Sequence, residues 1–272
     1  MSVQIITVNT TSRRDVNRFV DLPFRLYRGC AAWVPPLVDD VKLMLNRRKY
    51  PFYEHSDAEF FLAERAGRVV GRIAVLDNQR YNAHWRSKTA FFYLFDAEDD
   101  SEAATALFAA AEAWAAARGL TKMVGAKGFL QGDGLGVLVD GFEHHPAVGI
   151  PYNHPYYGPL IEAAGYTRQR DFYSAYLPGD TTLPERVQRI ADKMMAHRGF
   201  TIKTFASKRE LIAWMPRIVE LYNNAFVENW EFNPVTEAEA RLIGDRLLAI
   251  ADPKLIKLVL KGDDIAGFLF GF

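Results

Sequence analysis

The sequence predicts an α/β protein of the α+β kind, a mixed and largely antiparallel sheet flanked by helices, built once in full and begun a second time. Three observations predict it. "FFLAERAGRVVGRIAVL" and "LIKLVLKGDDIAGFLFGF" each read as two apolar strands around a glycine turn. An alanine-rich stretch over 101–118 starts among acidic residues and stops at Gly119, as helix termini prefer. The chain also repeats itself. The turn glycines Gly67 and Gly262 are 195 positions apart (262 − 67), as are Tyr27, which ends "LPFRLY", and Tyr222, which ends "MPRIVELY" (222 − 27). Trp33 and Pro35 recur as Trp230 and Pro234. Agreement at three separated places with the order preserved points to a duplicated domain.

In order, the first copy reads as a strand over 3–8, helices over 15–27 and 38–46, the hairpin, the strand "TAFFYLFD" and the long helix. The strand "LTKMVGA", a glycine-rich stretch, a short helix through "YYGPLIEAAGY" and a last strand "DFYSAYL" closing near residue 177 complete it. A linker helix over 184–198 sets Val187, Ile190 and Met194 on one face and has Gly199 after its end. The strand "FTIKTF", two helices and the second hairpin follow. The domains are therefore expected at 1–180 and 181–272, the latter a linker helix plus the first half of a second copy. By the same offset the reading frame is expected to continue for about another hundred residues.

Composition narrows the partners. Lys plus Arg and Asp plus Glu are both 33, so no net charge draws the chain to nucleic acid or an anionic bilayer, and a small molecule is the expected partner. The lone cysteine, Cys30, excludes an intramolecular disulfide framework and fits a reducing compartment. No apolar run has the length of a membrane span and "MSVQIITVNTTSRRD" has no signal-peptide core, so a cytoplasmic location is expected. The stretch "GFLQGDGLGVLVDGFEHHPAVGIPYNHPYY" offers G-x-G-x-G at Gly132, Gly134 and Gly136 but no third small residue for a dinucleotide fingerprint, and no phosphate-loop lysine. Its glycines are read as backbone turns in a substrate loop.

The order of elements over residues 3–177 resembles the GNAT N-acyltransferase fold, and "YYGPLIEAAGYTRQRDFY" resembles that family's late helix-to-strand segment. "WVPPL", "FLAERAGRVVGRIA", "GLGVLVDGF" and "PYNHPYYGPLIEAAGY" are together similar to bacterial two-domain GNAT-like proteins. The resemblance implies transfer of an acyl group from acetyl-CoA or another acyl-CoA to a small-molecule amine, in a cleft where a central strand splays from its neighbour, with no metal. The family holds the coenzyme A pyrophosphate on a loop of the form [QR]-x-x-G-x-[GA] at a helix N-terminus. Here that junction reads "LFDAEDDSEAAT", in which Asp96, Glu98, Asp99, Asp100 and Glu102 satisfy the helix dipole and repel a pyrophosphate. The first copy is thus expected to lack an ordinary coenzyme A site, which is sought mostly beyond Phe272, in the second copy.

On that resemblance the glycine-rich stretch supplies acceptor-side residues. Asp133, between two glycines, is the candidate for orienting or deprotonating an ammonium, against the reading of a turn aspartate. Tyr157 lies one helical turn before Ile161, which occupies the place of the family's proton-donating tyrosine, and is the candidate acid. Asp140, Tyr152, Asn153 and Tyr156 are candidate substrate contacts, Asp140 equally a cap and the tyrosines equally core. His144, His145 and His154 match no zinc spacing. "NRRK" over 46–49 reads as an exposed helix end, and no G-x-S-x-G elbow is present. Three readings compete: an acyl-CoA-dependent N-acyltransferase acting on an amine, a non-catalytic binding or scaffolding module that kept the fold, and, by analogy with GNAT-like enzymes that acylate sphingoid bases, an enzyme whose acceptor is the long-chain amine that the aromatic "KYPFYEH" and "PYNHPYY" suggest.

Overall fold

A computed structural model describes residues 2–271 and divides the chain into two units that meet between Asp171 and Phe172. The first unit holds β1 (Gln4–Thr7), α1 (Arg13–Leu26), α2 (Val38–Leu45), β2 (Asp57–Arg65), β3 (Arg68–Asp77), α3 (Gln79–Trp85), β4 (Thr89–Ala97), α4 (Ser101–Ala117), β5 (Lys122–Gly125) and α5 (Tyr157–Ala163). Its sheet runs β1-β2-β3-β4-β5, antiparallel except for the parallel pair β4 and β5. Ala66 and Gly67, both at positive φ (53° and 78°), make the two-residue turn between β2 and β3. A two-residue turn with both residues at positive φ matches the right-handed twist of the flanking strands, and a glycine takes that conformation without strain.

Alternation along the strands builds two faces. Phe61, Ala63, Ile73, Val75, Ala90 and Phe92 turn toward α4, whose Ala103, Ala104, Leu107, Phe108 and Ala111 are small enough to let helix and sheet come close. Asp100 caps α4 by accepting the Ala103 N–H. On the opposite face Phe60 meets Phe19 of α1 edge to face, ring centres 5.4 Å apart.

The feature that positions the rest is Arg72 of β3, 3% exposed. Its Nε donates to Asp96 Oδ2 at 2.8 Å and a second nitrogen lies 2.6 Å from the same carboxylate, across the β3–β4 register. Its remaining fork reaches the Phe19 carbonyl at 2.8 Å. That carbonyl is available for a definite reason. Its helical donor four residues on would be Pro23, which has no N–H, and the arginine supplies the missing hydrogen. The guanidinium also lies over the Phe19 ring.

Beside this pair β4 is irregular. The β3–β4 register shifts between Arg72 and Ala74, and Leu94 takes a left-handed φ of 48°. Such a bulge re-aims the side chains that follow it. The parallel pairing of β4 with β5 ends at Phe92 and Gly125, while β4 runs on to Ala97. Gly125 is required at the split because a Cβ there would lie 2.5 Å from the Phe92 ring.

The second unit repeats the opening order of the first. It holds α6 (Glu185–His197), β6 (Phe200–Thr204), α7 (Lys208–Ala225), α8 (Glu237–Ile250), β7 (Lys257–Lys261) and β8 (Asp264–Leu269), with strand order β6-β7-β8. Gly262, at φ 61°, opens its hairpin turn as Gly67 serves the first. Phe205, Leu211, Ile218, Ile256 and Leu258 form its core, and α6 buries no residue. Among the described residues no helix is long and apolar enough to cross a membrane.

One expectation needs correction, and one element is additional to those expected. "DFYSAYL" is not a strand: Tyr173, Tyr176 and Leu177 are exposed and no strand partner is assigned to it. Its alternation satisfies the local rule for a strand, but pairing is nonlocal. The glycine-rich stretch is a loop carrying an isolated bridge between Lys127 and Leu135. Helix α3 was unread because it is short and polar, started by the Asn78 side chain accepting the Tyr81 N–H.

Replacing Arg72 by Met should strand a buried carboxylate and a helix carbonyl together, a loss of about 3–5 kcal/mol. Urea denaturation measures it. A change below about 1 kcal/mol, the worth of an exposed pair, would mean that the interaction is incidental.

Candidate functional site

The tyrosines singled out in the sequence gather where β4 outruns β5. Tyr157, at the start of α5 and 2% exposed, donates its hydroxyl to Asp96 Oδ1 at 3.1 Å and accepts the Ala97 N–H at 3.3 Å. Tyr156 donates to the Ala97 carbonyl at 3.0 Å. Tyr27, at the end of α1, donates to Asp96 Oδ1 at 3.2 Å. Both backbone groups of Ala97 are thus bound by tyrosine hydroxyls, and Asp96 is shared by two tyrosines and Arg72. Burial, and after it the Asp96 charge, hold Tyr27 and Tyr157 far above the ordinary phenol range, so both remain O–H donors. Tyr156 is pushed up to about 12 by burial first and then by Asp99, Asp96 and Glu98.

Around this network four rings stand in a column. Trp33 stacks on Tyr27 (4.8 Å, 11°), Tyr27 on His154 (4.5 Å, 10°) and His154 on Tyr156 (5.1 Å, 15°). Tyr152 meets Tyr27 edge-on at 6.2 Å, donates its hydroxyl to the Phe142 carbonyl and accepts from the Cys30 thiol. Asn153, buried, spends both ends of its amide on the loop: Oδ1 accepts the Leu138 N–H and Nδ2 donates to the carbonyls of Leu138 and His154. Its amide holds the loop in register.

Asp133 belongs to a different cluster. Its Oδ2 accepts the Leu130 N–H at 2.9 Å and lies 3.5 Å from the Tyr50 hydroxyl. Tyr50 packs on Phe129, which stacks over Phe60 on the α1 face of the sheet. Gly128 is required beside it, because a Cβ there would fall 2.1 Å from that of Asp133. Gly132 and Gly136 have φ near +90°, so turns and close approach account for these glycines. Asp140 is exposed and accepts the N–H of Gly141 in a turn. His144 and His145 are exposed in the same loop, and His154 stands apart from them in the column.

The acidic junction before α4 is also other than its composition suggested. Its carboxylates are not a bare negative cluster. Glu98 pairs with Arg25 and Arg68, Asp100 and Glu102 pair with Arg65, and Asp96 turns inward to Arg72. Neutralisation removes most of the repulsion that the sequence predicted. At the helix N-terminus itself an anion would meet the Asp100 carboxylate, which already takes the Ala103 N–H. A groove of about 550 Å³ lies along the outer edge of β5, between the end of α4 and residues 165–169. Its walls include Lys122, Met123, Tyr166 and Arg168, and none of the six candidates.

Sequence reasoning missed Tyr27, Arg72, Asp96 as a buried group, Trp33 and the placement of His154. Only Pro23, a helix breaker in a helical pattern, signalled that something must reach the Phe19 carbonyl.

No family model matches the chain. It is 32% identical over 259 residues to the bacterial ceramide synthase of Caulobacter vibrioides (strain NA1000 / CB15N), covering 93% of this chain and 65% of that protein. It is 27% identical over 275 residues to Protein YghO of Escherichia coli (strain K12), covering 100% of this chain and 69% of that one. The chain therefore spans about two thirds of the length of these relatives. Among solved structures, a tandem GNAT protein from the clavulanic acid biosynthesis pathway aligns with 98% of this chain and 73% of its own, at TM-score 0.52 and 15% identity. The likeness to that structure, with a largely antiparallel sheet whose one parallel pair splits beside α5, makes this chain a protein of the GNAT fold.

Proposed function

We propose that the protein acts in acyl transfer from an acyl-CoA to the amine of a long-chain, sphingoid-like acceptor. One observation carries the reading: 32% identity along 93% of the chain to a bacterial ceramide synthase, a ceramide being the amide of a fatty acid and a sphingoid base. The first unit serves the acceptor side and does not take the thioester along β4, since the Ala97 N–H and C=O are already bonded to Tyr157 and Tyr156. Tyr157 and Asp133 position their surroundings in this reading. The Tyr157 hydroxyl is committed to Asp96 and Ala97, and the Asp133 carboxylate to the turn at Leu130.

The test uses the protein expressed from its own natural reading frame, with a long-chain acyl-CoA and sphinganine. Mass spectrometry is expected to find the N-acyl product, formed in step with free coenzyme A thiol. Neither product nor thiol release with any primary amine would favour a binding module instead.

Two substitutions separate positioning from proton transfer. Tyr157→Phe should cost about 1–3 kcal/mol of stability through the stranded Asp96 and Ala97 groups, yet keep turnover within a few-fold well below its melting temperature. Asp133→Asn retains an acceptor for the Leu130 N–H and should do the same with little change in melting. A loss of about 100-fold in turnover by a variant that melts normally would make that residue an acid or base after all.

A further inference from the structure

His154, three residues before α5, is the one imidazole in the tyrosine cluster, and its ring is fixed. Nε2 lies 3.1 Å from the carbonyl oxygen of Leu26. A carbonyl oxygen only accepts, so Nε2 carries the hydrogen and in the neutral ring the lone pair sits on Nδ1. Among the described residues Nδ1 has no hydrogen-bond partner. The rings of Tyr27 and Tyr156 cover its two faces, so it cannot turn without breaking the column, while the side chain as a whole is only half-buried.

The surroundings can hold a positive charge on that ring. Leu26 is the last residue of α1, so its carbonyl stands at the negative end of the helix dipole. Two phenol faces flank the imidazole. The groups that face it are Tyr27 from the end of α1 and Tyr156 and Tyr157 from the start of α5, the last 6.1 Å away. Behind the Tyr27 and Tyr157 hydroxyls stands the Asp96 carboxylate of β4, with Arg72 of β3 on its far side, and Glu98 and Asp99 act on Tyr156.

The geometry points to His154 as the base that frees the acceptor amine, an assignment that rests on the acyl-transfer reading. A long-chain primary amine arrives as an ammonium with no lone pair. Nδ1 takes one N–H proton and the electron pair of that bond stays on the nitrogen. The pair forms the C–N bond at the thioester carbonyl, the C–S bond breaks, and the departing thiolate takes a second N–H proton as the amide forms. The imidazolium returns its proton to water. Thioester and ammonium have become amide, thiol and one released proton. In the sequence His144, His145 and His154 invite only a metal reading, whereas in the fold His154 takes its partners from α1 and α5.

The experiment measures acyl transfer to sphinganine by the protein from its natural reading frame, from roughly pH 6 to pH 10. His154→Gln keeps a flat group in the column and an N–H able to reach Leu26, but has no basic nitrogen. Its kcat is expected to fall about 100-fold at neutral pH, with KM for the acyl-CoA unchanged, and to recover most of that loss at high pH, where the amine frees its own lone pair. His154→Phe, which restores the ring stack without any nitrogen, should lose the same activity with a native melting curve. Wild-type kcat at every pH in either variant overturns the assignment and leaves acyl transfer standing. So does a loss that is equal at every pH and tracks lowered melting. No transfer by the wild-type protein to any amine overturns the acyl-transfer reading itself, and this assignment with it.

Discussion

The first unit is organised by one buried ion pair. Arg72 and Asp96 face each other across β3 and β4, and each has capacity beyond the pair. The spare donor of Arg72 repairs the hydrogen bond that Pro23 removes from α1, which fixes that helix to the sheet. The second oxygen of Asp96 accepts from Tyr27 and Tyr157, which fixes the end of α1 and the start of α5 to the end of β4. Desolvating two charges is expensive, and the cost is offset here because almost every hydrogen-bonding position of the pair is used. Removing either partner would leave the other charged and buried without compensation.

The consequence for chemistry follows from where the strands separate. Beyond Phe92 the edge of β4 has no strand partner in β5, and a bare edge attracts extended ligands or other strands. Tyrosine hydroxyls occupy that edge at Ala97 instead, and the column of Trp33, Tyr27, His154 and Tyr156 is assembled on them. The same side chains that close one use of the split hold the imidazole in one orientation. The second unit repeats the strand, two helices and hairpin of the first, with its own core and its own glycine turn.

What could be read from the residues divides along the range of the forces involved. The hairpin at Gly67 and the alanine-rich α4 with its acidic start and its stop at Gly119 rest on local periodicity and local hydrogen bonds, and they were legible. Asp96 was not. In "FDAEDDSEAAT" it reads as one of five solvated carboxylates, and only the bulge at Leu94 turns it inward to an arginine more than twenty residues away in the chain. Asn153 was chosen as a contact for its hydrogen-bonding groups, and the loop at Leu138 uses those same groups. Tyr152, Tyr156 and Tyr157 were found as a cluster because they are close in sequence, but their partners, Phe142, Ala97 and Asp96, come from elsewhere.

Whether the hydroxyl of Tyr157 closes the end of β4 is open to direct measurement by hydrogen exchange at the Ala97 amide. With that N–H bonded to a buried hydroxyl, exchange should be as slow as in the sheet core of the wild-type unit, and faster by about tenfold or more in Tyr157→Phe, where the acceptor is gone. Equal exchange rates in the two proteins, or an Ala97 amide that exchanges in the wild type as fast as the exposed loop at Asp140, would contradict a strand end closed by tyrosine.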